Sequence, residues 1–173
     1  NKKFKNYKIL YRPHPWQKKN RSILIENEFK NLIIDPQLKK KYLSLKFSSS
    51  FQPDIKYYSS LIKNAEVVIT GPTSMLIEAT IFYKKILLLA YKSKSSTPYS
   101  EELKNFEHLK GIENLKNIKT VNIESDFINK LMKTLDLNID KSKVDKLRNF
   151  YLDYSGQKYS DKLFKVTNKI IND

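Results

Sequence analysis

Short apolar runs alternate along the chain with segments in which apolar residues recur every three or four positions. The short runs predict β-strands, because they are rich in β-branched and aromatic residues and end at Pro, Gly or Ser. The run Val67–Thr70 is the clearest buried strand, since all four of its residues are β-branched. The predicted strands cover residues 7–11, 31–35, 67–70, 86–90 and 119–123.

The longer periodic segments predict helices. Asp54 can cap the first of the clear helices, and the helix over 74–83 is apolar nearly all round, so we expect it to be buried. The polar segment 17–30 is expected to be helical in part. The predicted helices cover residues 55–64, 74–83, 101–110, 126–135, 141–151 and 159–171.

Strands that alternate with helices favour an α/β fold with right-handed crossovers. We therefore expect a doubly wound parallel sheet with helices on both faces and a carboxy-terminal helix. Such sheets bind ligands at the carboxyl ends of their strands. That rule points to residues 12–16, to the turn 71–74 and to the loop 92–100, which we expect to be mobile without a ligand because it has few apolar anchors.

The formal net charge is +15, and it comes almost entirely from lysine: 30 lysines stand beside three arginines. Recognition of nucleic acid favours arginine, so nucleic acid is not the expected partner. The 18 isoleucines and 15 asparagines suggest instead the codon bias of an AT-rich genome. The charge also suits an anionic membrane face or an anionic substrate.

The sequence lacks the usual metal and thiol chemistry. There is no cysteine, no Asp-x-Asp pair and no His-x-x-x-His pair, so we expect neither a catalytic metal nor a cofactor. With only three glycines, the chain has neither a P-loop nor a G-x-G-x-x-G fingerprint.

The turn Gly71-Pro72-Thr73-Ser74 lies between a predicted strand and a predicted helix. Such a turn presents backbone N–H groups and the positive end of a helix to an anion, and Thr73 and Ser74 add hydroxyl groups. The alternative is an ordinary tight turn in which Thr73 or Ser74 is only the N-cap of the helix.

Glu78 lies four residues after Ser74, on the same helical face, and misses the spacing of a capping box by one residue. It is the only charged residue in the apolar stretch from Thr73 to Tyr83. Burying a bare carboxylate is costly, and a pair of ligand hydroxyls, such as a ribose diol, would satisfy it. A buried pair with a lysine and a solvent-facing position are the alternatives.

Arg12 and His14 continue the first strand into a stiff loop, because both precede prolines. An imidazole at this place can donate to a phosphate, and does so more strongly when protonated. The alternative is a structural histidine bonded to a loop carbonyl. His108 lies in a polar helical segment and is expected at the surface.

Together these residues resemble a known family. The stretch from Tyr11 to Pro15 resembles the histidine-proline motif that opens the carboxy-terminal half of GT-B fold transferases, which build bacterial cell-surface polymers. The stretch from Asp54 to Ser74 is similar to the same half in CDP-glycerol glycerophosphotransferases and in capsule or lipopolysaccharide glycosyltransferases. Residues 155–160 and the last helix are similar to the end of that half. Gly71, Pro72 and Lys85 depart from the pattern, so a nucleotide sugar is as suitable a donor as CDP-glycerol.

The resemblance implies a Rossmann-like, donor-binding half of a metal-independent transferase. Residues 1–6 would be a linker from an amino-terminal domain, residues 7–155 the donor nucleotide-binding domain and residues 156–173 a terminal helix. The donor would be linked to UDP, CDP, GDP or CMP, and the acceptor would be a cell-surface polymer or a lipid-linked precursor. The enzyme would work in the cytoplasm, or on the inner face of the cytoplasmic membrane, and this half would be inactive alone.

The resemblance also implies the roles of the site residues. The donor phosphates would meet five residues, of which His14 would also be catalytic by stabilising the departing nucleotide phosphate. Glu78 would hold the ribose or the sugar, and a base in the other domain would deprotonate the acceptor hydroxyl. The five phosphate-binding residues would be Arg12, His14, Gly71, Thr73 and Ser74.

Two other functions fit the same residues. A non-catalytic module could use the lysines to bind a polyanion such as RNA or anionic lipid, with binding that ignores Glu78 and collapses with salt. Half of a sugar-nucleotide epimerase would share both the fold and the donor site.

Overall fold

A computed structural model describes residues 4–13, 28–43, 54–91, 105–106, 109, 111–151 and 156–172. The described residues have an α/β fold in which all paired strands are parallel, as the alternation of strands and helices predicts, but the strands form two small sheets rather than one. The chain divides into two compact units, residues 1–58 and residues 59–173. The domain boundaries at residues 6 and 155 stay a prediction.

Every predicted strand has a counterpart, with ends that agree or shift by one or two residues. The strands are β1 (Ile9–Tyr11), β2 (Leu32–Ile34), β3 (Val67–Thr70), β4 (Lys85–Leu89) and β5 (Ile118–Val121). Among the described residues the α-helices are α1 (Pro36–Leu43), α2 (Ile55–Asn64), α3 (Met75–Ile81), α4 (Phe127–Leu135), α5 (Lys141–Tyr151) and α6 (Tyr159–Asn172). The same part of the chain contains the short 3-10 helices Ile112–Asn114 and Glu124–Asp126.

The first unit contains β1, β2, α1 and the first turn of α2. β1 and β2 are parallel, with Ile9 opposite Leu32 and Tyr11 opposite Ile34. The sequence pattern treats Pro36 only as the end of a strand, and this interpretation misses α1. The helix begins there because Asp35 accepts a hydrogen bond from the amide of Gln37 at 2.9 Å, while Pro36 occupies the first helical position, where no N–H is needed.

The second unit is built on the three-stranded sheet, with β4 in the centre and β3 and β5 beside it. Three consecutive residues of β4, Ile86 to Leu88, are fully buried. Successive side chains of a strand point to opposite faces, so both faces of β4 are covered. α3 packs on β3 and β4, and α4 packs on β4 and β5.

α3 connects β3 to β4 and is short. All seven of its residues are buried or half-buried, which confirms the expectation of a buried helix. It ends in a Schellman motif, in which the amide of Lys84 donates to the carbonyl of Ala79 and the amide of Tyr83 donates to that of Thr80, both at 3.0 Å. Tyr83 adopts the left-handed conformation, with φ 52°.

Three predictions fall outside the described residues, wholly or in most of their length. They are the partial helix over 17–30, the mobile loop over 92–100 and the helix over 101–110.

Candidate functional site

The turn from Thr70 to Ser74 leaves the carboxyl end of β3 and enters α3. Pro72 is buried and anchors the turn, whereas Thr73 and Ser74 are exposed. Ser74 makes no side-chain capping bond to the helix. Ser74 therefore occupies the N-cap position without capping the helix through its side chain, and its hydroxyl stays exposed at the end of the strand. Phosphate binding by this turn stays a prediction.

The protons of two hydroxyls can be assigned by counting. Thr70 donates its hydroxyl proton to the carbonyl of Gly71, at 3.2 Å. Since a hydroxyl has one proton, the 3.2 Å contact between the Thr70 and Thr73 hydroxyls must use the proton of Thr73. Thr73 can donate to a phosphate only by giving up this bond. Ser74 is therefore the more available donor of the two.

Thr70 is a residue of the site that sequence reasoning missed. It is almost fully buried and orients the hydroxyl of Thr73 through the contact just described. A hydroxyl residue that ends a buried strand just before a Gly-Pro turn is the signal that could have indicated it.

The backbone of the turn also leaves donors available. Within the described residues, the amides of Thr73, Ser74 and Met75 donate no backbone hydrogen bond, whereas the amide of Leu76 donates to the carbonyl of Thr73 at 3.0 Å. The first N–H groups of a helix have no partner within the helix. The turn therefore presents three consecutive amides beside the Ser74 hydroxyl.

Glu78 lies one helical turn beyond Ser74, and its amide donates to the carbonyl of Ser74 at 3.1 Å. The residue is half-buried on a helix whose other members are apolar or small. Its carboxylate and the Ser74 hydroxyl are therefore held by the same rigid stretch of backbone, as the four-residue spacing predicts.

Arg12 is held by groups of the first unit. It forms an ion pair with the fully buried carboxylate of Asp35, and its guanidinium lies over the ring of Tyr58, 4.7 Å from the ring centre. Asp35 also accepts a bond from the Tyr57 hydroxyl at 3.2 Å and caps α1. A phosphate at Arg12 would have to share the guanidinium with this carboxylate, so phosphate binding by Arg12 stays a prediction.

The same cluster affects the ionisation of Tyr57. Partial burial, followed by the neighbouring Asp35 carboxylate and its hydrogen bond, raises the pKa of the Tyr57 phenol above its usual value of 10.0. The phenol is therefore a neutral donor throughout the physiological range of pH.

The structure brings four of the predicted site residues together in one segment of the second unit: Gly71, Thr73, Ser74 and Glu78. Arg12 belongs to the first unit, and His14 and His108 lie outside the described residues. The predicted roles of His14 in phosphate binding and catalysis stay predictions.

Two searches of the described residues define what else they contain. Their His, Asp and Glu side chains form no group of three or more able to hold a metal ion. Their helices include none with the length and apolar character required to cross a bilayer. Comparisons of the chain with protein-family models, curated proteins and solved structures find no match.

Proposed function

We propose that this chain is the donor-binding half of a metal-independent transferase, which moves a sugar or glycerophosphate from a nucleotide-activated donor to a cell-surface polymer or a lipid-linked acceptor. One observation carries the proposal. An exposed serine hydroxyl, three available amides and a carboxylate one turn away lie on a single backbone segment at the carboxyl end of a parallel strand. This is where α/β sheets bind nucleotides.

The residues divide between the two ends of the donor. The amides at 73–75 and the Ser74 hydroxyl would bind the diphosphate, because phosphate oxygens accept hydrogen bonds. The amides can only donate, and the hydroxyl is able to donate. Glu78 would accept hydrogen bonds from the ribose or the sugar. Phosphate oxygens carry charge that grows as the nucleotide leaves, so the same donors would stabilise the departing group. The resemblance of 11–15 to the histidine-proline motif supports a role for His14 in that step.

The acceptor and the catalytic base would belong to residues outside 1–173, as in the transferases that the chain resembles. The proposed place of work is the cytoplasm or the inner face of the cytoplasmic membrane, where nucleotide donors and lipid-linked acceptors meet. Half of a site should bind nucleotide without turnover.

The lysine content favours one other function, the non-catalytic polyanion module. It rests on the net charge of +15. It differs from the transferase half in a measurable way, because attraction to a general positive field falls steeply with salt and does not require Glu78.

A calorimetric screen of the whole chain against UDP, CDP, GDP and CMP tests the proposal. We expect at least one nucleotide to bind with a dissociation constant of about 10 µM to 1 mM, the range corresponding to about −7 to −4 kcal/mol. Inorganic phosphate serves as the control for charge alone. The absence of heat from every nucleotide at millimolar concentration, with the protein folded by circular dichroism, would contradict the proposal.

A further inference from the structure

The last helix, α6, exposes an apolar face. Its described apolar side chains are between 53% and 73% exposed. At 100° per residue, these positions fall within a stripe about 160° wide along one side of the helix. The exposed apolar residues of α6 are Leu163, Phe164, Val166, Ile170 and Ile171.

Thr167 lies in the middle of this stripe without interrupting its apolar character. Its hydroxyl donates to the carbonyl of Leu163 at 2.8 Å, within the helix itself. A hydroxyl that is satisfied by its own backbone can enter an apolar medium at little cost, because no hydrogen bond is lost. The stripe is therefore continuous from Leu163 to Ile171, nine residues of the helix and a length of about 13 Å.

The opposite side of α6 is positively charged. Residues 158–172 contain four lysines and one aspartate, a net charge of +3. The lysines recur at intervals of three and four residues, so they form one row that lies away from the apolar stripe. These lysines are Lys158, Lys162, Lys165 and Lys169.

We propose that α6 is a membrane-docking helix that lies in the plane of an anionic bilayer surface, with its apolar stripe among the acyl chains and its lysines at the headgroups. An exposed apolar stripe backed by lysines is the arrangement of interfacial helices. Charge complementarity selects this occupant. A second copy of the chain would bring a net charge of +15 against +15, and RNA would leave the apolar stripe in water.

This inference names the element that would hold the proposed transferase at a membrane. It rests on the proposed function only for the identity of that membrane. Lipid binding by α6 needs no nucleotide. Donor binding needs no lipid, since the turn 71–74 and Glu78 lie on other elements.

Vesicle cosedimentation of the whole chain tests the docking helix. The vesicles are phosphatidylcholine alone, or phosphatidylcholine with about one third phosphatidylglycerol. The variant Phe164→Ser with Ile171→Ser removes two exposed anchors of the stripe, and Ile55→Ser is the matched control, because Ile55 is 77% exposed on a different helix. All three proteins should show the same circular dichroism, since the changes are at the surface.

The wild type and Ile55→Ser should bind the anionic vesicles at least tenfold more tightly than the double variant. Binding to neutral vesicles should be weak, and Lys165→Gln with Lys169→Gln should lose about fivefold for each lysine on the anionic vesicles. Equal binding by the double variant and the wild type would overturn the proposal. The proposal would also be overturned if the protein bound no vesicles and sedimentation equilibrium showed a dimer that depends on the stripe. Nucleotide affinity should be the same in the wild type, Ile55→Ser and the Phe164→Ser, Ile171→Ser variant, which all keep the net charge of +15, so failure of lipid binding leaves the donor site standing.

Discussion

The placement of single hydroxyl protons determines which hydroxyl in the turn after β3 is available to donate to a ligand. Because Thr70 donates to Gly71, the proton of Thr73 is already engaged, and Ser74 keeps an exposed hydroxyl. Of the two hydroxyl residues that the sequence predicts as phosphate donors, Ser74 thus has the smaller rearrangement to make. The distinction depends on one buried threonine at the end of a strand.

A substitution at Gly71 can show whether the glycine is required for stability or for ligand binding. Apart from Gly71 itself and its two chain neighbours, no heavy atom lies within 4 Å of the position that a Cβ would take, and the φ of Gly71 is outside the left-handed region. Gly71→Ala should therefore leave the free energy of unfolding unchanged or raise it by up to about 1 kcal/mol, by restricting the unfolded chain. If phosphate approaches the backbone here, the added methyl group should weaken nucleotide binding by about tenfold.

Urea unfolding and calorimetric titration of the same Gly71→Ala sample check both halves of this prediction. Equal nucleotide affinity in the variant and the wild type would show that the phosphate does not approach Gly71. A loss of stability would show that the glycine serves the fold.

The short helix α3 is fixed at its carboxyl end by a residue with an unusual conformation. The left-handed region costs a non-glycine residue about 1–2 kcal/mol. The side-chain contacts of Tyr83, which connect α3 to α5, offset this cost. The Tyr83 hydroxyl donates to Asp145 at 2.6 Å and accepts a bond from Arg148, whose guanidinium lies 4.8 Å from the ring centre. The connection holds in place the helix that carries Glu78.

Tyr83→Phe should lower the free energy of unfolding by about 1 kcal/mol, because it removes these hydrogen bonds and keeps the ring. A double-mutant cycle with Asp145→Ala should give a coupling energy of about 1 kcal/mol, measured by urea unfolding. Tyr7→Phe, at an exposed tyrosine, is the control and should be neutral. Additive effects of the two changes would contradict the connection between α3 and α5.

Elements with a clear local pattern of apolar residues or a capping residue could be predicted from the sequence. Features that depend on contacts between distant side chains could not. β3 and α2 have the predicted bounds, because a run of four β-branched residues and a helix capped by Asp54 are both local signals. α1 was missed, although its Asp-Pro start is also local. The contacts of Tyr83 with Asp145 and Arg148 join residues about 60 positions apart, and no local pattern could reveal them.

The candidate site was predictable only in part, for the same reason. The spacing of Ser74 and Glu78 is local and survives in α3. The pairing of Arg12 with a buried Asp35 joins residues from two strand ends, and nothing in the sequence near Arg12 indicates that partner. The ammonium group of Lys85 donates to the carbonyl of Leu135 at the end of α4, where a cation stabilises a helix terminus, and this contact too joins residues far apart in the sequence.

At the scale of the whole molecule, the net charge of +15 complicates any measurement of nucleotide binding. An anionic nucleotide is attracted to the whole surface as well as to a site. This general attraction is screened over about 10 Å at 0.1 M salt, whereas hydrogen bonds to Ser74 or Glu78 act at contact. The salt dependence of nucleotide affinity therefore distinguishes binding at a specific site from general attraction to the positive surface.

The most direct test of the donor-binding claim is a calorimetric titration of three proteins with one nucleoside diphosphate conjugate, at low and at moderate salt. The proteins are the wild type, Glu78→Gln and Glu66→Gln. Glu66 is exposed and immediately precedes β3, at the end of the strand opposite the candidate site, so its variant measures the effect of removing one negative charge alone.

A hydrogen bond to a charged group is worth about 1.5–3 kcal/mol, so Glu78→Gln should weaken binding by tenfold or more at both salt concentrations. Glu66→Gln should bind as the wild type does, or slightly more tightly. If Glu78→Gln binds as tightly as Glu66→Gln, and moderate salt abolishes binding in all three, the chain is a polyanion-binding module and the donor site is not at Glu78.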